Sequence, residues 1–184
     1  MQTASTGTIS AVKQLSFSDA RFYLASTFLI AGNILLPMVL HQFGNAGQIF
    51  LPLYFFSLLG GLLYGWKVGL TVGLFSPLAS FLFTHMPPLP VLNFVILKSV
   101  ILGVGAGKLS RIFSAKSLYL SGFLALSLMQ ITGVAVIFWF TKNWRMATID
   151  LIIGYPGLIL MQLAGPIIAG KLGADGNETS DGNN

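Results

Sequence analysis

The sequence predicts an all-α integral membrane protein: a bundle of six transmembrane helices with both termini in the cytoplasm. Three observations favour this fold class, namely a scarcity of charge, a series of long apolar segments and an uneven distribution of Lys and Arg. Hydrophobic residues make up 54% of the chain and charged residues only 8%, with a mean hydropathy of +0.80. Soluble domains have about 25% charged residues, so this composition cannot cover a water-exposed surface.

The polarity of the chain divides it into three regions. Residues 1–20 are polar and rich in Ser and Thr, residues 21–170 consist of nearly continuous apolar segments, and residues 171–184 are polar and acidic. The first region lacks the early apolar stretch of a secretory signal, and the last has the composition of a disordered segment. We therefore expect a cytoplasmic N-terminal segment, a six-helix membrane domain and a disordered cytoplasmic tail.

Each membrane crossing by a helix requires roughly 17–25 apolar residues. The second and third apolar segments are short and separated only by Trp66 and Lys67, where several glycines, Gly65 among them, favour a turn over one continuous helix. The six predicted crossings are 22–40, 49–65, 68–83, 89–107, 118–140 and 149–170.

The distribution of Lys and Arg sets the orientation, because cytoplasmic loops of membrane proteins carry an excess of these residues. With a cytoplasmic N-terminus, only Lys142 and Arg145 lie outside, and Lys98 falls within the fourth helix. The net charge of +5 is thereby explained by the helix ends and does not indicate binding to nucleic acid. The residues on the predicted cytoplasmic side are Lys13, Arg21, Lys67, Lys108, Arg111, Lys116 and Lys171.

Polar residues within the bilayer are concentrated in the predicted outer half, and such residues mark functional sites. A rise of about 1.5 Å per residue gives their depth. Asn33 is equally compatible with a hydrogen bond to a neighbouring helix, and Tyr155 with a place in the aromatic belt at the membrane interface. The candidate substrate-binding residues are Lys98, Asn33, Asn93, Tyr155, His41, Gln48, His85 and Arg145.

Lys98 is the most informative of these candidates. A Lys near the centre of a membrane helix costs about 2.5–3.5 kcal/mol on insertion scales. Two interpretations account for it: the ammonium pairs with Asp150 or with helix carbonyls, or it binds an anionic group of a substrate. Both remain open at the level of sequence.

Residues for catalysis or metal binding are sparse. The acids beside the helices, Asp19 and Asp150, lie at opposite edges of the membrane and cannot act as a pair. His41 and His85 lack carboxylate or thiolate neighbours at ligand spacing, and the chain has no Cys. We therefore predict no metal, no cofactor and no enzymatic activity. A chain this small without energy-coupling residues is expected to bind a substrate and to borrow energy from a partner.

Four short motifs follow one another in the centre of the chain, and their order resembles that of a known protein family. They are 47–52 (GQIFLP), 65–69 (GWKVG), 76–78 (SPL) and 86–90 (MPPLP). With its size and predicted topology, residues 15–172 resemble the substrate-binding membrane subunits, or S components, of energy-coupling factor vitamin transporters. The resemblance implies a multi-pass protein of the bacterial cell membrane that binds a micronutrient from outside.

The resemblance also implies partners. Such subunits join a transmembrane coupling subunit and two ATPases, and they reorient in the bilayer to release their cargo inside. They dock through small residues on the first helix, for which this chain offers Ala20, Thr27 and Ala31. Each subunit builds its own pocket, so pantothenate, biotin, lipoate, cobalamin and haem all stay open as substrates. The alternative function is a small structural or assembly protein of the membrane whose polar residues only join helices.

Overall fold

The computed structural model describes residues 14–41, 52–113 and 117–181. These residues form seven helices, and no strand occurs among them. The helices are α1 (Ala20–His41), α2 (Pro52–Tyr64), α3 (Trp66–Thr84), α4 (Leu89–Ile112), α5 (Leu118–Thr141), α6 (Trp144–Ile153) and α7 (Tyr155–Asp181).

Four of the described helices, α1, α3, α4 and α5, are long and apolar enough to cross a membrane. The bent pair α6 and α7 gives a fifth crossing if the two helices act as one span. The 13 residues of α2 extend over about 20 Å, which is short of the hydrocarbon thickness of about 30 Å. The all-helical prediction is confirmed, whereas the described helices provide four or five full-length spans and not six.

The last predicted span, residues 149–170, is not one straight helix. It is broken at Gly154, where α6 and α7 meet at an angle of 49°. Pro156 explains the break, because its ring nitrogen cannot donate the hydrogen bond that a continuous helix requires. The backbone of α7 then continues to Asp181, into the segment that the sequence predicts to be disordered. Helix propagation needs no new nucleus and therefore extends readily into such a segment.

Gly65 separates α2 from α3 and makes the turn that the sequence predicts. Its backbone has a φ of 87°, a left-handed conformation that side chains disfavour. The two helices pack against each other as a hairpin, and α1 packs against both. The predicted turn between the second and third crossings is therefore confirmed. Four of the six predicted crossings also begin and end within a few residues of the observed helices.

Helix α4 lies at the centre of the bundle and packs against α2, α3 and α5. Glycines make the approach of α3 to α4 possible. A Cβ added at Gly69 or at Gly103 would lie well under 3.0 Å from backbone atoms of the other residue. The two helices therefore pack closely through their glycines, in the manner of small-residue interfaces in membranes.

Large apolar side chains cover the outside of the bundle. Phe28 is 75% exposed, Phe83 77% and Trp139 72%. Soluble monomers rarely expose contiguous apolar surface on this scale. The exposed surface is compatible with contact to lipid on several helices.

Candidate functional site

A cavity of about 920 Å³ lies where six of the helices approach one another. Five of the helices contribute one end each: α1, α3 and α5 their C-terminal ends, and α2 and α4 their N-terminal ends. Helix α6 lines the cavity along most of its length. The segment between α3 and α4 completes the mouth. The lining residues are Pro37, Leu53, Tyr54, Ser80, Met86, Pro87, Pro88, Pro90, Val91, Phe94, Val95, Lys98, Ile137, Thr141, Arg145, Met146, Ile149, Asp150 and Ile153.

Helix α6 forms one wall of the cavity, and its first turn is capped by Asn143. The side chain of Asn143 accepts hydrogen bonds from the backbone N–H groups of Arg145 and Met146, at 3.0 and 3.3 Å. This arrangement satisfies donors that the helix leaves free. The cap starts a helix that turns Arg145, Ile149 and Ile153, each four residues apart, towards the same cavity.

Lys98 reaches Asp150 across this cavity. The Nζ atom of Lys98 donates a hydrogen bond to Oδ2 of Asp150, and the two groups form an ion pair between α4 and α6. Of the two interpretations that the sequence leaves open for Lys98, the structure shows the contact with Asp150; binding of a substrate by Lys98 stays a prediction. The pair relieves the cost of an unpaired cation at this depth.

Gly133 on α5 makes the path of the Lys98 side chain possible. A Cβ at position 133 would lie well under 3.0 Å from Cε of Lys98. The lysine stem therefore passes close over the backbone of α5 at a residue that has no side chain. Nothing in the sequence around Gly133 indicates this role, because the contact joins residues of two different helices.

The charges of the cavity wall are unequally accessible. The side chain of Lys98 is only 4% exposed, whereas that of Asp150 is 36% exposed. Arg145 is exposed on the same helix as Asp150 and lines the mouth. Lys98 and Asp150 neutralise each other, so Arg145 leaves the described wall with one net positive charge. The remaining lining side chains are mostly apolar.

Asn33 lies outside the cavity, in a buried polar network that joins four helices. Its amide nitrogen donates to Ser76 Oγ at 2.9 Å and to Ser57 Oγ at 3.4 Å, and its amide oxygen accepts from the backbone of Phe56 at 3.3 Å. The hydroxyl of Ser57 in turn bonds to that of Ser99 at 2.9 Å. This geometry matches the interpretation of Asn33 as a hydrogen-bonding link between helices.

The other candidate residues are placed as follows. Asn93 is exposed and does not line the cavity, because it is five residues from Lys98 and so lies on a different face of α4. His85 is exposed and ends α3 in a left-handed conformation with a φ of 55°. Tyr155 is 60% exposed and borders a smaller cavity of about 320 Å³ between α5 and α7. Gln48 and the side chain of His41 fall outside the described part of the chain. Of the eight candidates, the structure thus brings Lys98 and Arg145 to one cavity.

Tyr54 was missed at the level of sequence. It lines the cavity from α2, is only 4% exposed, and its hydroxyl makes no hydrogen bond to any other described residue. A signal existed, since Tyr54 has a polar hydroxyl and lies in the mostly apolar predicted segment 49–65. Its proximity to α6 depends on the packing of distant helices and has no local signature.

Comparison with known proteins gives no relatives: no protein-family model, no curated protein and no solved structure matches the chain. Among the described residues, no group of three His, Cys, Asp or Glu side chains could hold a metal ion. The function must therefore be inferred from the cavity itself.

Proposed function

We propose that the chain is the substrate-binding membrane subunit of an energy-coupling factor importer in a bacterial cell membrane. It captures a vitamin or related micronutrient from outside. A transmembrane coupling subunit and two ATPase subunits then supply the energy for release inside. The observation that carries the proposal is a mostly apolar cavity of about 920 Å³, built from the ends of six helices.

The origin of the cavity walls supports six alternating crossings. The C-terminal ends of α1, α3 and α5 meet the N-terminal ends of α2 and α4 at the cavity. This is the arrangement expected when successive helices run in opposite directions. In this topology α2 is a short crossing, and the bent pair α6 and α7 is the sixth. Both termini then lie on the side away from the cavity.

The charge distribution supports an outward-facing cavity. Arg145 lines its mouth, and Lys142 follows the end of α5 nearby. The opposite ends of the helices carry Lys67, Lys108 and Arg111, in keeping with the excess of positive charge on cytoplasmic sides. A substrate would therefore enter from outside the cell.

The size and lining of the cavity suit a small organic molecule. Ligand sites are typically clefts of about 300–1,000 Å³ lined by apolar residues with a few placed polar groups. Here the polar groups are Tyr54, Ser80, Lys98, Thr141, Arg145 and Asp150.

A structural or assembly subunit is the second candidate. The hydrogen bonds of Asn33 favour it, because they account for several buried polar groups without any ligand. The two functions differ in whether a small molecule occupies the cavity.

Mass spectrometry of the protein, purified from its own host in lipid nanodiscs, tests the proposal. We expect one small molecule to co-purify with the wild type. It should be absent after Ile149→Trp, which places an indole ring in the cavity and obstructs it. It should be retained after Ile159→Trp, which faces the smaller cavity; the two isoleucines are 47% and 43% exposed. Equal amounts of bound molecule in both variants, or none in the wild type, would favour the assembly function.

A further inference from the structure

The accessible charge at the buried end of the cavity is a carboxylate and not an ammonium. The Lys98 side chain is 96% shielded, and its Nζ is committed to Oδ2 of Asp150, whereas more than a third of the Asp150 side chain is exposed. The second carboxylate oxygen of Asp150, Oδ1, accepts no hydrogen bond from any described residue. A molecule that enters the cavity therefore meets a free acceptor.

We propose that the cavity recognises its occupant through Asp150: the occupant is an uncharged amphipathic molecule whose apolar body ends in a hydroxyl group. This inference rests on the proposed function and specifies the class of substrate. The hydroxyl donates to Oδ1 of Asp150, and the apolar body lies along Phe94, Val95, Ile149 and Ile153.

The charge balance of the ion pair favours an uncharged head group. An anion at this position would have to displace Asp150 from Lys98 and would leave two negative groups around one ammonium. A cation bound to Asp150 would lie beside the Lys98 ammonium, and it would lose its hydration without a net opposite charge to compensate. An uncharged hydroxyl avoids both costs and satisfies the free carboxylate oxygen.

Tyr54 provides the complementary group. Its hydroxyl lines the same cavity and has no hydrogen-bond partner among the described residues. A ligand hydroxyl both donates and accepts, so it can donate to Asp150 while its oxygen accepts from a phenol. An ether oxygen can only accept, and it leaves Oδ1 of Asp150 unsatisfied.

Four probes with similar apolar chains test this inference: decan-1-ol, its isomer methyl nonyl ether, decanoate and decylammonium. The chain has no Cys, so Met146→Cys provides a unique attachment point at the cavity for an environment-sensitive dye. Binding is measured in nanodiscs as a function of the mole fraction of each probe in the bilayer. The control protein carries Lys98→Met and Asp150→Leu together, because exchanging both members of a buried pair for apolar residues is often neutral for stability.

We expect decan-1-ol to bind at least about tenfold more tightly than methyl nonyl ether, as for a hydrogen bond to a charged group. This preference should vanish in the double variant, because only the alcohol donates to Asp150. Tyr54→Phe should weaken binding of the alcohol and of the ether by a similar factor of about 2–10, because both oxygens accept from the phenol. Tightest binding of decanoate would overturn the inference and assign recognition to the cations of the cavity, Lys98 and Arg145, but the proposed function would stand. Equal binding of the alcohol and the ether would also overturn the inference. Binding of none of the four probes would count against both the inference and the proposed function.

Discussion

Lys98 and Asp150 have unequal surroundings, although they form one ion pair. Loss of Asp150 would leave an ammonium that is 96% shielded without a partner, whereas loss of Lys98 would leave a carboxylate that is partly solvated. The sequence identified Lys98 because a charge inside an apolar helix is conspicuous. It could not decide between a protein partner and a ligand, since Asp150 is 52 residues away and its position depends on α6.

This asymmetry predicts the effects of three variants on stability. Asp150→Leu should reduce the free energy of unfolding by about 3–5 kcal/mol, the cost of leaving one member of a buried pair uncompensated. Lys98→Met should cost less than half as much, and the double variant should be close to the wild type. Unfolding in mild detergent, followed by tryptophan fluorescence, gives all three values. Equal losses from the two single variants would show that the exposure of Asp150 has no energetic consequence.

The close contact between Gly133 and Lys98 predicts that a single substitution at Gly133 lowers stability. Gly133→Ala places a methyl group against Cε of Lys98, so we expect it to lower the free energy of unfolding by about 1–3 kcal/mol, as overpacking does. The matched control is Gly105→Ala, where the nearest atom would be at an ordinary 3.7 Å. That substitution should be neutral or stabilising by up to about 1 kcal/mol, because Ala favours helix. Thermal melting curves of both variants provide the comparison, and equal shifts would contradict the steric account.

At the scale of the helix, the lengths of the apolar segments predicted most of the helices, but one predicted span is broken into two helices near a proline. Spans 68–83 and 118–140 correspond to α3 and α5 within two residues at each end. The span 149–170 is broken because Pro156 interrupts the backbone hydrogen bonds, a signal that the apolar composition of the segment concealed. The partners of Asn33 could not be predicted either, since they are serines on other helices, 24 and 43 residues away.

The contact between α3 and α4 predicts a strong effect of one added methyl group. Gly103→Ala directs a Cβ at the carbonyl oxygen of Gly69, and neither backbone can move without separating the helices. We expect a loss of at least about 2 kcal/mol in the free energy of unfolding, compared with little change for Gly105→Ala on the same helix. Chemical denaturation in nanodiscs measures both losses. Similar stability of the two alanine variants would mean that the helices tolerate separation at this point.

At the scale of the whole molecule, α1 presents an exposed face on which a coupling subunit could dock. Ala20 and Thr27 are exposed and Ala31 is half-buried, while the opposite face of α1 packs on α2 and α3. The sequence predicted this small-residue face through the family resemblance, and its role in docking stays a prediction.

Bulky substitutions on this face should block transport and preserve binding. We expect Ala20→Leu and Thr27→Leu to abolish cellular uptake of the co-purified micronutrient, because larger side chains prevent close approach of a partner helix. Binding to the purified variants should be unchanged. Ala135→Leu, an exposed site on α5, is the control and should leave uptake intact. Normal uptake by both α1 variants would exclude this face as the docking surface.

Measuring on which side of the membrane the cavity opens is the most direct test of the proposal that the chain captures its substrate from outside. Because the chain has no Cys, Met146→Cys at the cavity and Ile112→Cys at the other end of α4 each provide one thiol, at positions that are 58% and 72% exposed. With a membrane-impermeant maleimide, we predict that Met146→Cys is labelled in intact cells and Ile112→Cys only after permeabilisation. Labelling of Ile112→Cys but not Met146→Cys in intact cells would place the cavity on the cytoplasmic side and contradict the proposed function.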